Sequence, residues 1–132
     1  MPWIKVGVFN PRNPENIIYP LGLVDSGSDL TIINREIGES LGYEIEKGRK
    51  EKIRGLGGGS LIGYIHKVGC VIENLENPKD TIKYSDIVAF TKNVFPISYP
   101  QQTAIFGTLG FFRHLMVTFV FPKKIIIQTL LS

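Results

Sequence analysis

The sequence has few of the residues that build disulfides and metal centres, and it has no long apolar run. Its 132 residues include one cysteine and two histidines, so an intrachain disulfide is impossible and a metal site is not expected. No apolar run reaches the length of about 18 residues that a membrane helix needs, and no signal-peptide pattern is present. We therefore expect a cytoplasmic protein that has no membrane contact, no metal and no cofactor.

The excess of charge is also small. Fifteen basic and 12 acidic residues leave a net charge of +3, and the basic residues are scattered apart from a cluster at 47–52. A nucleic-acid surface normally carries a denser basic stripe, so no nucleic-acid partner is expected. Hydrophobic residues at 43% and charged residues at 20% are typical of a folded chain, and the length fits one domain over residues 1–132.

Glycine and proline punctuate the chain at short intervals, with 14 and 8 copies. The stretches between them are short and rich in β-branched and aromatic residues, which predicts a mainly β fold. The expected strands are 4–9, 17–24, 30–33, 62–72, 82–90, 116–121 and 124–130. Two short helices are expected, one over 35–41 with Asn34 as its N-cap and one over 108–114.

The local signal with the most chemistry is the segment Leu23-Val24-Asp25-Ser26-Gly27. An acidic residue follows an apolar strand directly and precedes a small, glycine-containing turn, so its carboxylate would be held rigidly yet remain accessible. Taken alone, the segment also fits an ordinary turn in which a short polar side chain bonds to the backbone.

A second signal is the glycine-rich stretch at 55–59, which lies between two predicted strands. It indicates a hairpin with a mobile tip. A dinucleotide-binding loop is a poor match, because the third glycine of that motif would fall at Ser60 and no convincing helix follows.

Together these motifs resemble the retropepsin-like aspartic proteases. The family's catalytic Asp-Thr/Ser-Gly matches Asp25-Ser26-Gly27, its flap matches 53–61, and its second signature matches Ile105-Phe106-Gly107 followed by a short helix. The closing hairpin is similar to that of the eukaryotic DNA-damage-inducible proteases. The resemblance implies a single-domain acid-protease β-barrel with a flap hairpin and one or two short helices.

The resemblance also implies roles for individual residues. Asp25, Ser26 and Gly27 would form the catalytic turn, and a Ser28 hydroxyl could donate to Asp25 and favour its ionised form. The family's partner for Asp29 is an arginine just after the second glycine signature, where this chain has Thr108. The implied substrate-binding residues are Ser28, Asp29, Gly55, Leu56, Gly57, Gly58, Gly59, Ile105, Phe106 and Gly107.

The mechanism implied by the family needs two carboxylates that share one proton. The chain holds a single Asp-Ser/Thr-Gly, so an active enzyme would be a homodimer with one Asp25 from each copy, acting on a peptide or protein substrate. Two alternatives stay open. One is a catalytically silent dimeric module of the same fold that binds peptides or partners, and the other is a protease that cuts only itself or one dedicated precursor.

Overall fold

The structure is a computed structural model that describes residues 3–24, 29–54, 60–73, 77–93, 103–107, 115–120 and 124–129. These residues form a mainly β fold, as predicted. The strands are β1 (Trp3–Lys5), β2 (Gly7–Asn10), β3 (Asn13–Ile18), β4 (Leu21–Val24), β5 (Thr31–Ile33), β6 (Arg49–Arg54), β7 (Ser60–Ile72), β8 (Ile82–Thr91), β9 (Thr103–Phe106), β10 (Leu115–Val120) and β11 (Lys124–Thr129). One α-helix, α1 (Arg35–Ser40), and two 3₁₀ turns, Ile45–Lys47 and Pro78–Asp80, complete the described elements.

Nine of the strands form one sheet. Eight follow the order β1-β4-β9-β5-β8-β7-β2-β3, and β6 pairs with β7 outside this path. Strands β10 and β11 form a separate antiparallel pair, in register from Leu115↔Thr129 to Val120↔Lys124. The predicted closing hairpin is therefore confirmed in its two strands.

The large sheet curls into a half-barrel around its core. Val24 on β4 and Val8 on β2 stand near opposite ends of the strand order, yet both belong to one buried cluster with Phe90 and Phe106. A flat sheet would hold β4 and β2 several strand spacings apart, about 4.8 Å each. The curl brings both ends of the strand order together around one apolar interior.

Two predicted strands are each divided in the structure. The stretch 4–9 breaks at Val6, because β1 pairs with β4 while β2 pairs with β3 and β7 in a distant part of the sheet. The stretch 17–24 breaks before Leu21, where Pro20 lacks the N–H that a continuous ladder requires. In both places the prediction of one strand was wrong, since the local pattern does not reveal a change of partner strand.

The first predicted helix is confirmed almost to the residue. The carbonyl of Asn34 accepts from the Ile37 amide at 3.0 Å, as an N-cap carbonyl does. The helix ends before Gly42, whose φ of 86° lies in the left-handed region that favours glycine. The second predicted helix, 108–114, lies outside the described residues. Within the part of the chain that the structure describes, no helix is long and apolar enough to cross a membrane.

Candidate active site

Three strand ends meet at one edge of the sheet, meaning the edge formed by the ends of neighbouring strands and not the side of an outer strand. Strands β4 and β9 are parallel neighbours in the register Val24↔Phe106, so both finish at the same edge. Strand β5 runs antiparallel to β9 on its other side and therefore begins at that edge, with Thr31 as its first residue. Val24 and Thr31 thus flank Phe106. In the sequence they are also the strand residues on either side of the predicted catalytic turn.

A buried hydrogen bond holds this edge together. The backbone amide of Gly107 donates to the Thr31 hydroxyl oxygen at 3.3 Å, and Thr31 has no exposed surface. A buried donor left without a partner costs free energy, so this contact fixes the second glycine signature against the strand that follows the Asp25 turn. The sequence pattern did not single out Thr31, because its partner is 76 residues away.

A glycine in β4 makes the close packing of β4 on β9 possible. A Cβ at Gly22 would overlap the ring of Phe106, so only glycine lets this ring lie against the β4 backbone. Phe106 is fully buried, and Val24 is 2% exposed. An isolated glycine inside a strand signals this kind of close approach, so Gly22 could have been identified from the sequence.

The predicted flap hairpin reaches the same edge through an apolar contact. Its two arms, β6 and β7, are antiparallel from Arg49↔Ile65 to Arg54↔Ser60. Ile53, near the end of the first arm, packs against Ile32 of β5 and Ile105 of β9. The hairpin arm, the second signature and the strand after the Asp25 turn are therefore neighbours in space, although they are separated in the sequence.

The predicted site residues differ in what the structure describes of them. Ile105 is 7% exposed, and Phe106 and Gly107 are buried. Asp29 is exposed, and the adjacent Leu30 is half-buried. The remaining predicted residues lie outside the described residues: Asp25, Ser26, Gly27, Ser28, Gly55, Leu56, Gly57, Gly58 and Gly59.

The fold keeps the single cysteine away from solvent. Cys70 is buried, and burial raises the pKa of its thiol, which keeps it protonated. Among the residues that the structure describes, no group of three or more His, Cys, Asp or Glu side chains could hold a metal ion.

Comparison with known proteins gives the chain no established relative. No protein-family model, no curated protein and no solved structure matches it. A functional assignment therefore depends on the sequence motifs and on the strand arrangement around them.

Proposed function

We propose that the chain is one half of a homodimeric aspartic endopeptidase of the retropepsin-like type. The observation that carries the proposal is the meeting of β4, β5 and β9 at one edge, with the hairpin arm packed onto it through Ile53. This arrangement brings together the strands on either side of the Asp25 turn, the second glycine signature and one arm of the predicted flap hairpin.

The chemistry assigned to the site follows from two carboxylates that share a proton. Asp25 of one copy, ionised, accepts a proton from a water molecule, and the resulting hydroxide attacks the peptide carbonyl carbon. Asp25 of the second copy, protonated, gives its proton to the carbonyl oxygen as the tetrahedral intermediate forms. When that intermediate collapses, the C–N bond breaks, the first Asp25 gives its proton to the leaving amine, and the second Asp25 takes back the hydroxyl proton. Two carboxyl groups about 3 Å apart do not both ionise, because their negative charges would repel each other. The two groups therefore stay in different protonation states.

The hairpin contributes to substrate binding in this proposal. The four glycines in the stretch 55–59 allow its backbone to approach an extended substrate closely and to donate amide hydrogen bonds to it. Apolar side chains at the edge, such as Ile53 and Ile105, favour substrates with apolar residues beside the cleaved bond. Opening and closing of the hairpin would admit the substrate and then exclude water.

Exposed strand edges support the proposed dimer. Strand β1 is at one end of the sheet order, and Trp3 on it is 48% exposed. Within the described residues, β10 and β11 pair only with each other. Unpaired strand edges and exposed aromatic surface are features that a second copy can cover. The single cysteine fits a reducing compartment, so we place the activity in the cytoplasm.

The test compares Asp25→Asn with a matched control, Asp80→Asn. Asp80 is exposed, and its carboxylate accepts only a local bond from Asn77 at 3.1 Å among the hydrogen bonds described for it. A peptide mixture is incubated with each protein from acid to neutral pH, with and without a pepstatin-type inhibitor, and new peptide ends are identified by mass spectrometry. We expect wild type and Asp80→Asn to cleave, and Asp25→Asn to lose at least a factor of about 10³ in rate.

Two results would contradict this proposal. Cleavage that survives Asp25→Asn would remove the mechanism. A folded wild-type dimer that binds peptides without cutting them at any pH would favour the silent binding module instead.

A further inference from the structure

A groove on the far side of β7 from β8 is lined by side chains that the proposed activity does not use. Its volume is about 640 Å³. Strand β8 pairs with one edge of β7 from Gly63 to Ile72, while the other edge is shared by two strands. Strand β6 covers that edge up to Ile65, and β2 covers it from Gly69. The groove lies at the seam of residues 66–68, where neither strand pairs with β7.

The loop before β6 fills this seam and forms the floor of the groove. The Tyr43 hydroxyl donates to the Lys67 carbonyl at 2.6 Å, and His66 Nε2 lies 2.8 Å from the Ile45 carbonyl. Gly48 sits so close to β7 that a Cβ there would overlap the Ile65 carbonyl. The polar groups of the floor are therefore already bonded to one another. A ligand would be recognised mainly by the groups on the rim.

The rim is strongly basic. The lining includes the four cations Arg12, Lys47, Arg49 and Lys67 and the one acid Glu44, which leaves an excess of three positive charges. This local excess equals the net charge of the whole chain, +3. The cations come from the β2–β3 turn, the loop before β6, β6 itself and β7, so they surround the groove.

Two of the four cations are available to a ligand without competition. Lys47 pairs with Glu44 at 2.7 Å, and Arg49 pairs with Glu51 at 2.9 Å. Among the ion pairs formed by the described residues, none involves Arg12 or Lys67, and both residues are exposed. The two existing pairs are solvent-exposed and therefore weak. Carboxylates of a ligand can form ion pairs with Arg12 and Lys67. They can also compete with Glu44 for Lys47 and with Glu51 for Arg49.

We propose that this groove binds an acidic peptide segment, one that carries several carboxylate side chains. Charge complementarity selects the sign of the ligand, and the spread of the cations around the groove favours separate charges along a chain over one compact anion. Single-stranded RNA fits less well because it needs exposed aromatic rings on which bases stack. The Tyr43 ring instead packs against His66 and Phe90, with centroids 5.1 Å from each.

The test measures binding and not cleavage, so its outcome is independent of the proposed protease activity. A short labelled peptide of alternating Glu and Gly is titrated with the Asp25→Asn chain at low ionic strength, and fluorescence anisotropy is recorded. The same length of Gln and Gly is the neutral peptide control. The test variant adds Arg12→Gln and Lys67→Gln, while the matched control adds Lys79→Gln and Lys83→Gln. Both of these control lysines are exposed and lie outside the groove lining.

We expect the Glu peptide to bind, and the affinity to fall about tenfold in the groove variant. The control variant should stay within about twofold, and added salt should weaken binding to the groove. Equal losses in the two variants would reduce the effect to overall charge and overturn the proposal. Absence of binding to the Glu peptide would also overturn it, as would tighter binding of a single-stranded RNA of the same length through Arg12 and Lys67.

Discussion

At the residue scale, the structure adds Thr31 and Gly22 to the residues that the sequence motifs identify. The Asp25 turn was visible in the sequence because an acid between an apolar strand and a glycine is a local pattern. Gly22 could also have been found, since a glycine inside a strand indicates a close approach. Thr31 could not, because its role depends on the amide of Gly107, which comes near only through the pairing of β5 with β9.

This hydrogen bond gives a prediction for Thr31→Val. Valine has nearly the same shape but cannot accept from the Gly107 amide, which would remain buried without this partner. We expect the free energy of unfolding to fall by about 1–3 kcal/mol, measured by urea denaturation. If the edge positions the catalytic turn, the rate of peptide cleavage should fall as well.

Thr31→Ser is the matched control, because it keeps the hydroxyl and removes one methyl group. It should retain the hydrogen bond and most of the cleavage rate, and should lose only about 1 kcal/mol for the buried methyl. Equal destabilisation by valine and serine would show that packing, and not the bond to Gly107, matters at this position.

At the element scale, most strands were predictable but their partners were not. Alternation and glycine-proline punctuation located β7, β8, β10 and β11 to within a few residues, because these signals are local. Errors occurred at 4–9 and 17–24, where the chain moves from one partner strand to another, and at β9, which was not among the expected strands. The parallel pairing of β4 with β9 joins segments about eighty residues apart, and no local pattern encodes it.

The loop that closes the seam beside β7 has a predictable response to alkaline pH. Burial, with a smaller contribution from the neighbouring Cys70, raises the pKa of Tyr43 to about 12, while Arg12 opposes this shift. The folded state therefore holds the phenolic proton more tightly than the unfolded chain, whose tyrosine pKa is about 10. The stability that this provides is complete below about pH 10 and is lost as the pH rises towards 12.

Tyr43→Phe should remove that part of the pH dependence. The variant loses the bond to the Lys67 carbonyl and is expected to be less stable near neutral pH by about 1 kcal/mol. Its free energy of unfolding should then fall less steeply than that of wild type above about pH 10. The free energy of unfolding is measured by urea denaturation at several pH values across this range. If it falls with pH equally steeply in the two proteins, the assignment is contradicted.

At the scale of the whole molecule, the mainly β class followed from composition, whereas the curl of the sheet did not. The core cluster that joins Val8, Val24 and Phe106 exists only because the two ends of the strand order come together. The proposed active site depends on more than one chain, because one chain carries one Asp-Ser-Gly and the mechanism needs two carboxylates. In this proposal the site is a property of an assembly, and its activity should follow the concentration of that assembly.

This dependence can be tested by mixing two forms of the chain. Wild type is incubated with an excess of Asp25→Asn, so that most wild-type chains exchange into mixed dimers with one intact carboxylate. We expect the cleavage rate to fall to the level set by the small fraction of dimers that retain both Asp25 residues. Added Asp80→Asn should leave the rate unchanged or raise it. Dilution of wild type alone should lower the rate per chain once the dimer dissociates, and sedimentation at the same concentrations should show the loss of dimer. A monomeric enzyme would be indifferent to both dilution and added Asp25→Asn chain, and that result would refute the shared active site while leaving the fold unchanged.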